Sequence, residues 1–359
     1  MKIAFFGAYG SFDFFRIGGT ESFTRRLAEG LRESGHRADY VICGAGRTER
    51  QTTPSGIDLY YFTGLREALQ HLASHYEHIV TIYLRPRDRL HYMYFRRRHR
   101  HRVTCHQVYF GWPDSLLRRK GAFLEARLYP FNGRLFCISP RIFRYVSRWS
   151  DRVTLFRPPV AASYFLTPRD KRNHKITRVT YIGRTDPGKG IVEVIKLFSH
   201  LVDRPEVEVN LHGLHHRNSA DSERIHRWLS DQQAIRYFHV PFEGYSPQVD
   251  DNIRRILKET DILVLPYSRL SSTIDTPLLL LEGMASLCAV VTRSLGDIPA
   301  TYGPSPFLLA ESAGIISVVE RILAAKTLLA EERERIHRRN QELKFDARTT
   351  TNLLLHNLS

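Results

Sequence analysis

The turn Gly183–Gly190, with the sequence GRTDPGKG, combines glycines with two cations, Arg184 and Lys189. It follows a strand-like apolar run and precedes the helical pattern of Ile191–Leu201. Glycines let a ligand approach the backbone, the first N–H groups of a helix can donate to an anion, and both side chains add positive charge. This combination predicts a diphosphate site, although an exposed turn with ordinary surface cations has the same composition. The spacing matches neither the G-x-x-x-x-G-K-[ST] loop nor the G-x-G-x-x-G fingerprint.

A second chemical signal is Glu282, the one acidic residue in the apolar segment TPLLLLEGMA. Thr276 is predicted to be the N-cap of a helix there, with Pro277 in its first turn. A buried carboxylate without a partner is costly, so Glu282 is expected to pair with a cation or to bind a ligand. Its two oxygens match the two donors of a ribose cis-diol. The neighbouring Asp275 is expected to help cap the helix.

Two successive series of strands and helices are predicted to position these residues. Their strands are continuous apolar runs, which are typical of parallel strands covered on both faces. In the first half they are Lys2–Gly7, Ala38–Cys43, His78–Leu84, Val103–His106 and Arg134–Ser139. In the second half they are Val179–Gly183, Val207–His212, Ile235–Val240, Ile262–Pro266 and Ala289–Thr292.

This order predicts an α/β protein with two Rossmann-like, doubly wound domains. The predicted N-terminal domain covers residues 1–160 and the C-terminal domain residues 161–340. Residues 341–359 are expected to form a helix that returns to the N-terminal domain. Ligands of such sheets bind beyond the carboxyl ends of the strands, so the inter-domain cleft is the expected site.

The composition of the 359 residues is that of a globular protein, which excludes a disordered chain or a coiled coil. The net charge of +16 predicts an acidic partner. The four cysteines are far apart and each lies in an apolar run, which indicates buried reduced thiols. The sequence shows no signal peptide, no spanning helix and no metal-ligand spacing, so we expect a cytoplasmic protein without a metal.

The most basic segment is Arg85–Arg102, which holds eight Arg and one Asp with interleaved aromatic residues. An anionic membrane surface or an anionic acceptor would suit this composition, and Arg96, Arg97 and Arg98 are its candidate contacts. A solvated face of a basic protein is the plain alternative. A nucleic-acid strip is the third interpretation.

The ordered set of motifs resembles glycosyltransferase family 4 (glycosyl transferases group 1), whose members have the GT-B fold. The family's glycine-rich loop is similar to Gly18–Glu21, and its strand with a cleft histidine is similar to Thr104–Gln107. Its diphosphate motif is similar to Gly183–Gly190, and the second half of its paired-glutamate motif to Leu281–Ala285. Two further strand ends with similar counterparts are Cys137–Ser139 and Phe242–Tyr245.

The resemblance implies transfer of a sugar from a nucleoside-diphosphate sugar to an acceptor hydroxyl, with retention at the anomeric carbon. It implies no further cofactor, a glycan or lipid-linked acceptor, and a role in bacterial-type cell-surface glycan or glycolipid synthesis. The protein would then lie peripherally on the inner face of the membrane. The implied catalytic residues are Arg184, Lys189 and His106, and the implied donor-binding residues are Gly19, Gly183, Glu282, Asp275, Thr276 and Tyr245.

One position departs from the family pattern. Members carry a glutamate eight residues before the position of Glu282, where this chain has Ile274, followed by Asp275. Asp275 either replaces that carboxylate or only caps the helix, so the identity of the sugar stays open. So do the donor base, the acceptor, the linkage and the oligomeric state. Two alternative functions are a nucleotide-sugar epimerase of the same fold and a basic nucleic-acid-binding protein.

Overall fold

The computed structural model describes residues 1–111, 115–171, 175–215, 219–241, 245–270, 273–309 and 314–358. Phe242, Glu243 and Gly244 of one predicted strand-end motif lie outside the described residues. The chain divides into two compact units. Unit 1 comprises Met1–Pro159 with Phe345–Ser359, and unit 2 comprises Val160–Lys344. The sequence had suggested divisions after residues 160 and 340.

Unit 1 is built on an eight-stranded sheet with the order β3-β4-β2-β1-β5-β6-β7-β8. Its strands pair in parallel except β3, which is antiparallel to β4. The bounds are β1 Lys2–Ala8, β2 Arg37–Cys43, β3 Glu49–Thr52, β4 Asp58–Phe62, β5 His78–Tyr83, β6 Thr104–Tyr109, β7 Leu135–Cys137 and β8 Val153–Leu155.

The helices of unit 1 supply the crossovers that parallel strands require. They are α1 Gly19–Glu33, α2 Leu65–His75, α3 Pro86–His99, α4 Leu116–Leu128 and α5 Pro140–Val146, together with α13 Ala347–Leu358. One side of the sheet packs on α2 and α3 through a buried cluster that includes Phe6, Leu72, Tyr92 and Phe95. The C-terminal helix α13 packs on α1, which places the end of the chain in unit 1.

Unit 2 contains a six-stranded parallel sheet with the order β11-β10-β9-β12-β13-β14. Its strands are β9 Thr177–Arg184, β10 Val207–His215, β11 Arg236–Pro241, β12 Ile262–Leu265, β13 Ala289–Arg293 and β14 Leu308–Leu309. Its helices are α6 Ile191–Leu201, α7 Ala220–Ser230, α8 Pro247–Glu259, α9 Leu278–Ala285, α10 Ile298–Tyr302, α11 Ile315–Ala324 and α12 Lys326–Leu343. Two 3-10 turns cover Ala162–Tyr164 and Pro187–Lys189.

The α/β class and the two parallel-sheet units confirm the predicted fold. Each predicted apolar run corresponds to one of the strands β1, β2, β5, β6, β7 and β9 to β13. No helix in the described ranges is long and apolar enough to cross a lipid bilayer.

Candidate functional site

The turn after β9 is shaped by glycines and an aspartate. Gly190 has a φ of 77° at the start of α6, and a Cβ there would collide with the carbonyl oxygen of Pro266. Only glycine meets both conditions without strain. Asp186 caps the short 3-10 turn, because its Oδ1 accepts from the Gly188 N–H at 2.8 Å. Its Oδ2 lies 3.1 Å from Nη2 of Arg184, so one carboxylate both caps the turn and orients the guanidinium.

The loop after β12 packs against this turn. The Ser268 N–H and hydroxyl both donate to the carbonyl oxygen of Gly188, at 3.3 Å and 3.2 Å. The Lys189 ammonium lies 4.8 Å from the centre of the Tyr267 ring, within the range of a cation–π contact. The turn after β9 and the loop after β12 therefore together fix the position of the Lys189 side chain.

Lys189 has an unusual ionisation for a lysine. Burial and, to a smaller extent, the charge of Arg184 lower its pKa to about 7, although Asp186 partly opposes both effects. A desolvated ammonium beside a second cation is unfavourable until an anion arrives. The turn therefore holds positive charge that a diphosphate would stabilise.

Gly183 lies close to the side chain of Tyr181. A Cβ on Gly183 would lie 2.8 Å from the Tyr181 hydroxyl oxygen, and that hydroxyl donates to the Arg184 carbonyl at 2.7 Å. The Tyr181 hydroxyl is buried and its pKa is raised well above its usual range, so it remains a neutral donor. The small size of Gly183 is thus needed to keep the turn against β9.

Glu282 is a buried acidic residue whose charge acts on the same tyrosine, Tyr267, as the charge of Arg184. The residue is the fifth of the eight residues of α9 and is only 5% exposed. Burial raises the pKa of the Tyr267 hydroxyl, the Glu282 charge raises it further, and Arg184 lowers it. Both charges therefore act on one phenol. Lys189 contacts the Tyr267 ring, and the charges of Arg184 and Glu282 both act on the Tyr267 hydroxyl.

The start of α9 differs from the prediction. Pro277, with φ −62° and ψ 130°, is the N-cap, and the helix begins at Leu278 rather than at Pro277. The extended ψ of Pro277 places Thr276 outside the cap position, so the prediction of Thr276 as N-cap was wrong. Asp275 and Thr276 are both buried just before the helix. Ser271 and Ser272, at the start of this loop, lie outside the described residues.

Tyr245 lies just before α8 and is half-buried. Its hydroxyl donates to Oδ2 of Asp250, in the first turn of that helix, at 2.7 Å. This bond fixes the ring against α8.

His106 is not the cleft residue that its motif suggests. It lies three residues before the end of β6, because Gln107, Val108 and Tyr109 continue the strand by pairing with β7. The ring is 1% exposed, and its Nδ1 accepts from the Arg134 N–H at 2.9 Å. Burial lowers its pKa to about 3, so it is a neutral core side chain. The prediction that it touches the reacting sugar was therefore wrong.

Arg96 is buried, so the prediction that it belongs to a surface patch was wrong. It stands one helical turn after Tyr92 on the buried face of α3 and is 2% exposed. Its Nη2 donates to Glu125 at 3.0 Å and to the Tyr129 carbonyl at 3.1 Å. Arg97 and Arg98 are exposed as predicted. The predicted surface patch therefore loses one of its three members.

The glycine-rich loop of unit 1 begins α1. Gly18 is the N-cap, Gly19 is the first helical residue, and a Cβ on Gly18 would collide with the Glu21 carboxylate. Burial is the largest influence on Glu21 and raises its pKa. Arg25 supports the loop from below by donating to the carbonyls of Phe14 and Arg16, at 2.8 Å and 2.9 Å.

Two residues of these sites received no role from the sequence, Glu21 and Tyr267. Glu21 was present in the glycine-rich motif, and its position in the first turn of α1 was a usable signal. Tyr267 follows a buried strand at its carboxyl end, where ligands of parallel sheets bind. Within the described ranges, no group of three or more His, Cys, Asp and Glu side chains could hold a metal ion.

Comparisons with known proteins identify the fold and a family match. Residues 176–325 match the family described as Glycosyl transferases group 1. No curated protein matches the sequence. Sucrose-phosphate synthase (tll1590) from Thermosynechococcus elongatus is a similar solved structure, with a TM-score of 0.72, 16% identity and coverage of 99% of this chain and 98% of that chain.

Two other solved structures are similar over their whole lengths. Anabaena Alr3699/HepE in complex with UDP-glucose has a TM-score of 0.73 and 14% identity, with coverage of 100% of this chain and 99% of that one. A UDP-forming α,α-trehalose-phosphate synthase from Burkholderia vietnamiensis has a TM-score of 0.65, 12% identity and the same coverage. The chain therefore has the GT-B fold, and its residues 176–325 match the glycosyl transferases group 1 family.

Proposed function

We propose that the protein transfers a sugar from a nucleoside-diphosphate sugar to an acceptor hydroxyl, with retention at the anomeric carbon. The observation that carries this proposal is the turn after β9, where Asp186 orients Arg184 and the Tyr267 ring holds Lys189, with the buried Glu282 on the neighbouring helix α9. The two cations would bind a diphosphate, and the carboxylate would accept hydrogen bonds from the hydroxyls of a ribose. A UDP-sugar is the first donor to test, because two of the similar structures are named for UDP chemistry.

In the proposed reaction, the bond between the anomeric carbon and the diphosphate oxygen breaks as the acceptor oxygen forms its bond on the same face. The acceptor proton passes to the departing phosphate oxygen. Negative charge grows on the diphosphate, and Arg184, Lys189 and the amides at the start of α6 stabilise it. His106 takes no part, because it is buried in the unit 1 sheet.

The acceptor side of the proposal rests on unit 1. Gly18 lies against the Glu21 carboxylate, and Gly19 is exposed at the start of α1, where a ligand can approach the backbone. We propose a glycan or lipid-linked acceptor, a role in cell-surface glycan synthesis, and peripheral attachment to the inner face of a membrane. The exposed cations of α3 support the attachment.

A thermal-shift screen of nucleoside diphosphates and their sugars tests the donor assignment. A ligand that binds only the folded protein raises the unfolding midpoint by mass action. We expect UDP and at least one UDP-sugar to raise the midpoint of the wild type. Inorganic phosphate at equal concentration should have a smaller effect. A panel of nucleotide sugars without any shift would contradict the proposal.

A further inference from the structure

Unit 1 contains a cavity of about 630 Å³ away from its glycine-rich loop. Its lining includes the end of α3, Asn132 before β7, Leu135 at the start of β7, and Arg152 before β8. These positions lie at the amino ends of the strands. The loop at Gly18 follows the carboxyl end of β1, so the cavity lies on the opposite edge of the sheet. It is separate from the proposed acceptor side.

The cavity is strongly basic. Four arginines line it, Arg96, Arg97, Arg100 and Arg152, and Asp151 is the one acidic residue among the described residues of the lining. Arg97, Arg100 and Arg152 are exposed, and although Arg100 Nε donates to His101 and Arg152 Nη1 to the Asn132 carbonyl, each guanidinium has further donors. Several positive charges around a concave surface attract anions and raise their local concentration there.

Arg96 gives the cavity a buried cation. Its guanidinium carbon lies 3.4 Å from the centre of the Phe131 ring, and only Nη2 reaches Glu125 and Tyr129. The Nε and Nη1 atoms of Arg96 are buried and have no hydrogen-bond partner within the described parts of the chain. Buried donors of this kind are rare in folded proteins. Arg96 is therefore a cation with unused hydrogen-bonding capacity in a cavity wall.

The mouth of the cavity is flanked by exposed apolar side chains. Leu128 lines the cavity and is 61% exposed, and Leu124 lies one turn earlier on α4 and is 51% exposed. On α3, Leu90 and Tyr94 are also exposed and lie one turn apart. Apolar side chains beside arginines fit a lipid interface, where the cations meet headgroup phosphates and the apolar groups meet acyl chains.

We propose that this cavity binds the phosphate of an anionic phospholipid headgroup, with Leu124 and Leu128 against the acyl chains. Arg97, Arg100 and Arg152 contact the phosphate, and Arg96 supplies charge from behind. The inference gives the membrane attachment proposed above a specific site. It does not depend on the donor assignment, because binding of a lipid here needs no nucleotide sugar.

The test uses the full-length protein and water-soluble dihexanoyl phosphatidylglycerol below its micelle concentration. Binding is followed by titration calorimetry, with dihexanoyl phosphatidylcholine as the zwitterionic control. The double variant Arg97→Gln, Arg100→Gln removes two cavity cations. The matched variant Arg98→Gln, Arg102→Gln removes two exposed cations of the same segment that do not line the cavity. Equal unfolding midpoints show that each variant is folded.

We expect the cavity variant to bind phosphatidylglycerol at least about tenfold more weakly, as the loss of charge-assisted hydrogen bonds implies. The matched variant should stay within about twofold of the wild type. Equal losses in the two variants, or absent binding to the wild type, would overturn the proposal. Glycerol 3-phosphate that binds as tightly as the lipid would also overturn it, since the acyl contacts would then contribute nothing.

Discussion

At the scale of single residues, Lys189 should make the affinity of the candidate donor site depend on pH. Its pKa of about 7 means that it is an ammonium below neutral pH and a neutral amine above it. Only the ammonium attracts a diphosphate, whose charge in a nucleotide sugar does not change near neutrality. The dissociation constant for UDP-glucose should therefore rise as the pH rises above 7, toward a limit of about tenfold per pH unit.

Titration calorimetry from about pH 6 to about pH 9 measures this dependence, with the buffer concentration and ionic strength held constant. The variant Lys189→Arg is the control, because arginine keeps its charge over that range. Its affinity should change little with pH. An unchanged affinity of the wild type across the range would show that Lys189 does not meet the diphosphate.

Glu282 and Asp275 give a second prediction at this scale. Glu282→Gln keeps the shape of the side chain but weakens its bonds to ribose hydroxyls. It should weaken UDP-glucose binding by roughly 1.5–3 kcal/mol, the range for hydrogen bonds to a charged group. Asp275→Asn should have a much smaller effect if its carboxylate does not reach the donor.

Dissociation constants of both variants, measured at one pH and salt concentration, decide between the two carboxylates. A larger loss in Asp275→Asn would mean that the donor contact has moved to that residue. The unfolding midpoints of both variants must be measured as well, since both positions are buried.

Residue types and spacing were informative where they described local geometry. The turn Gly183–Gly190 could be recognised because glycine, aspartate and the following helix all act within a few residues. His106 and Arg96 could not be placed, because their burial depends on strands and helices distant in sequence. A basic run such as RRRHR gives no sign of which arginine faces the core.

At the scale of elements, Gly190 lies where the 3-10 turn after β9, the start of α6 and the loop after β12 meet. Gly190→Ala would force alanine to a φ of 77° and drive its Cβ into the Pro266 carbonyl. The left-handed conformation alone costs about 1–3 kcal/mol, and the collision adds to that. We expect a lower unfolding midpoint and a loss of donor binding.

Gly46→Ala separates the two causes. Gly46 has a φ of 75°, and a Cβ there has no atom within 4 Å. It should cost only the backbone strain, measured by urea unfolding of both variants. Equal destabilisation would mean that the contact between the turn and Pro266 contributes nothing.

Strands were predictable where both faces are buried, as in β1 and β12. Those strands are continuous apolar runs that the sequence displays directly. The strand β3, Glu49–Thr52, has a polar sequence at the sheet edge, and β8 is only three residues long. Their pairing depends on β4 and β7, which local sequence does not reveal.

At the scale of the whole molecule, one buried and two half-buried histidines should make the fold sensitive to acid. Burial lowers the pKa of His71 and His212 to about 4 and that of His106 to about 3. In the unfolded chain these groups titrate near 6.5, so the unfolded state binds more protons between about pH 4 and 6.5. Stability therefore rises with pH in this window and falls on acidification.

Thermal unfolding at pH values between about 4 and 7 measures the effect. His106→Gln keeps an acceptor for the Arg134 N–H and should reduce the slope of stability against pH by up to about 1.4 kcal/mol per pH unit. The exposed His356→Gln is the control and should leave the slope unchanged. A slope that His106→Gln does not alter would contradict the assignment of His106 to the core.

The most direct test of the proposed diphosphate site is the double variant Arg184→Ala, Lys189→Ala. The control is Lys196→Ala, Arg224→Ala, which removes one lysine and one arginine from exposed positions of the same unit. The measurement is kcat/KM for sugar transfer from the donor that the thermal-shift screen identifies. If the two cations stabilise the departing diphosphate, the double variant loses at least about a thousandfold while staying folded, and the control stays near the wild type. A folded double variant with near wild-type kcat/KM would contradict the central claim.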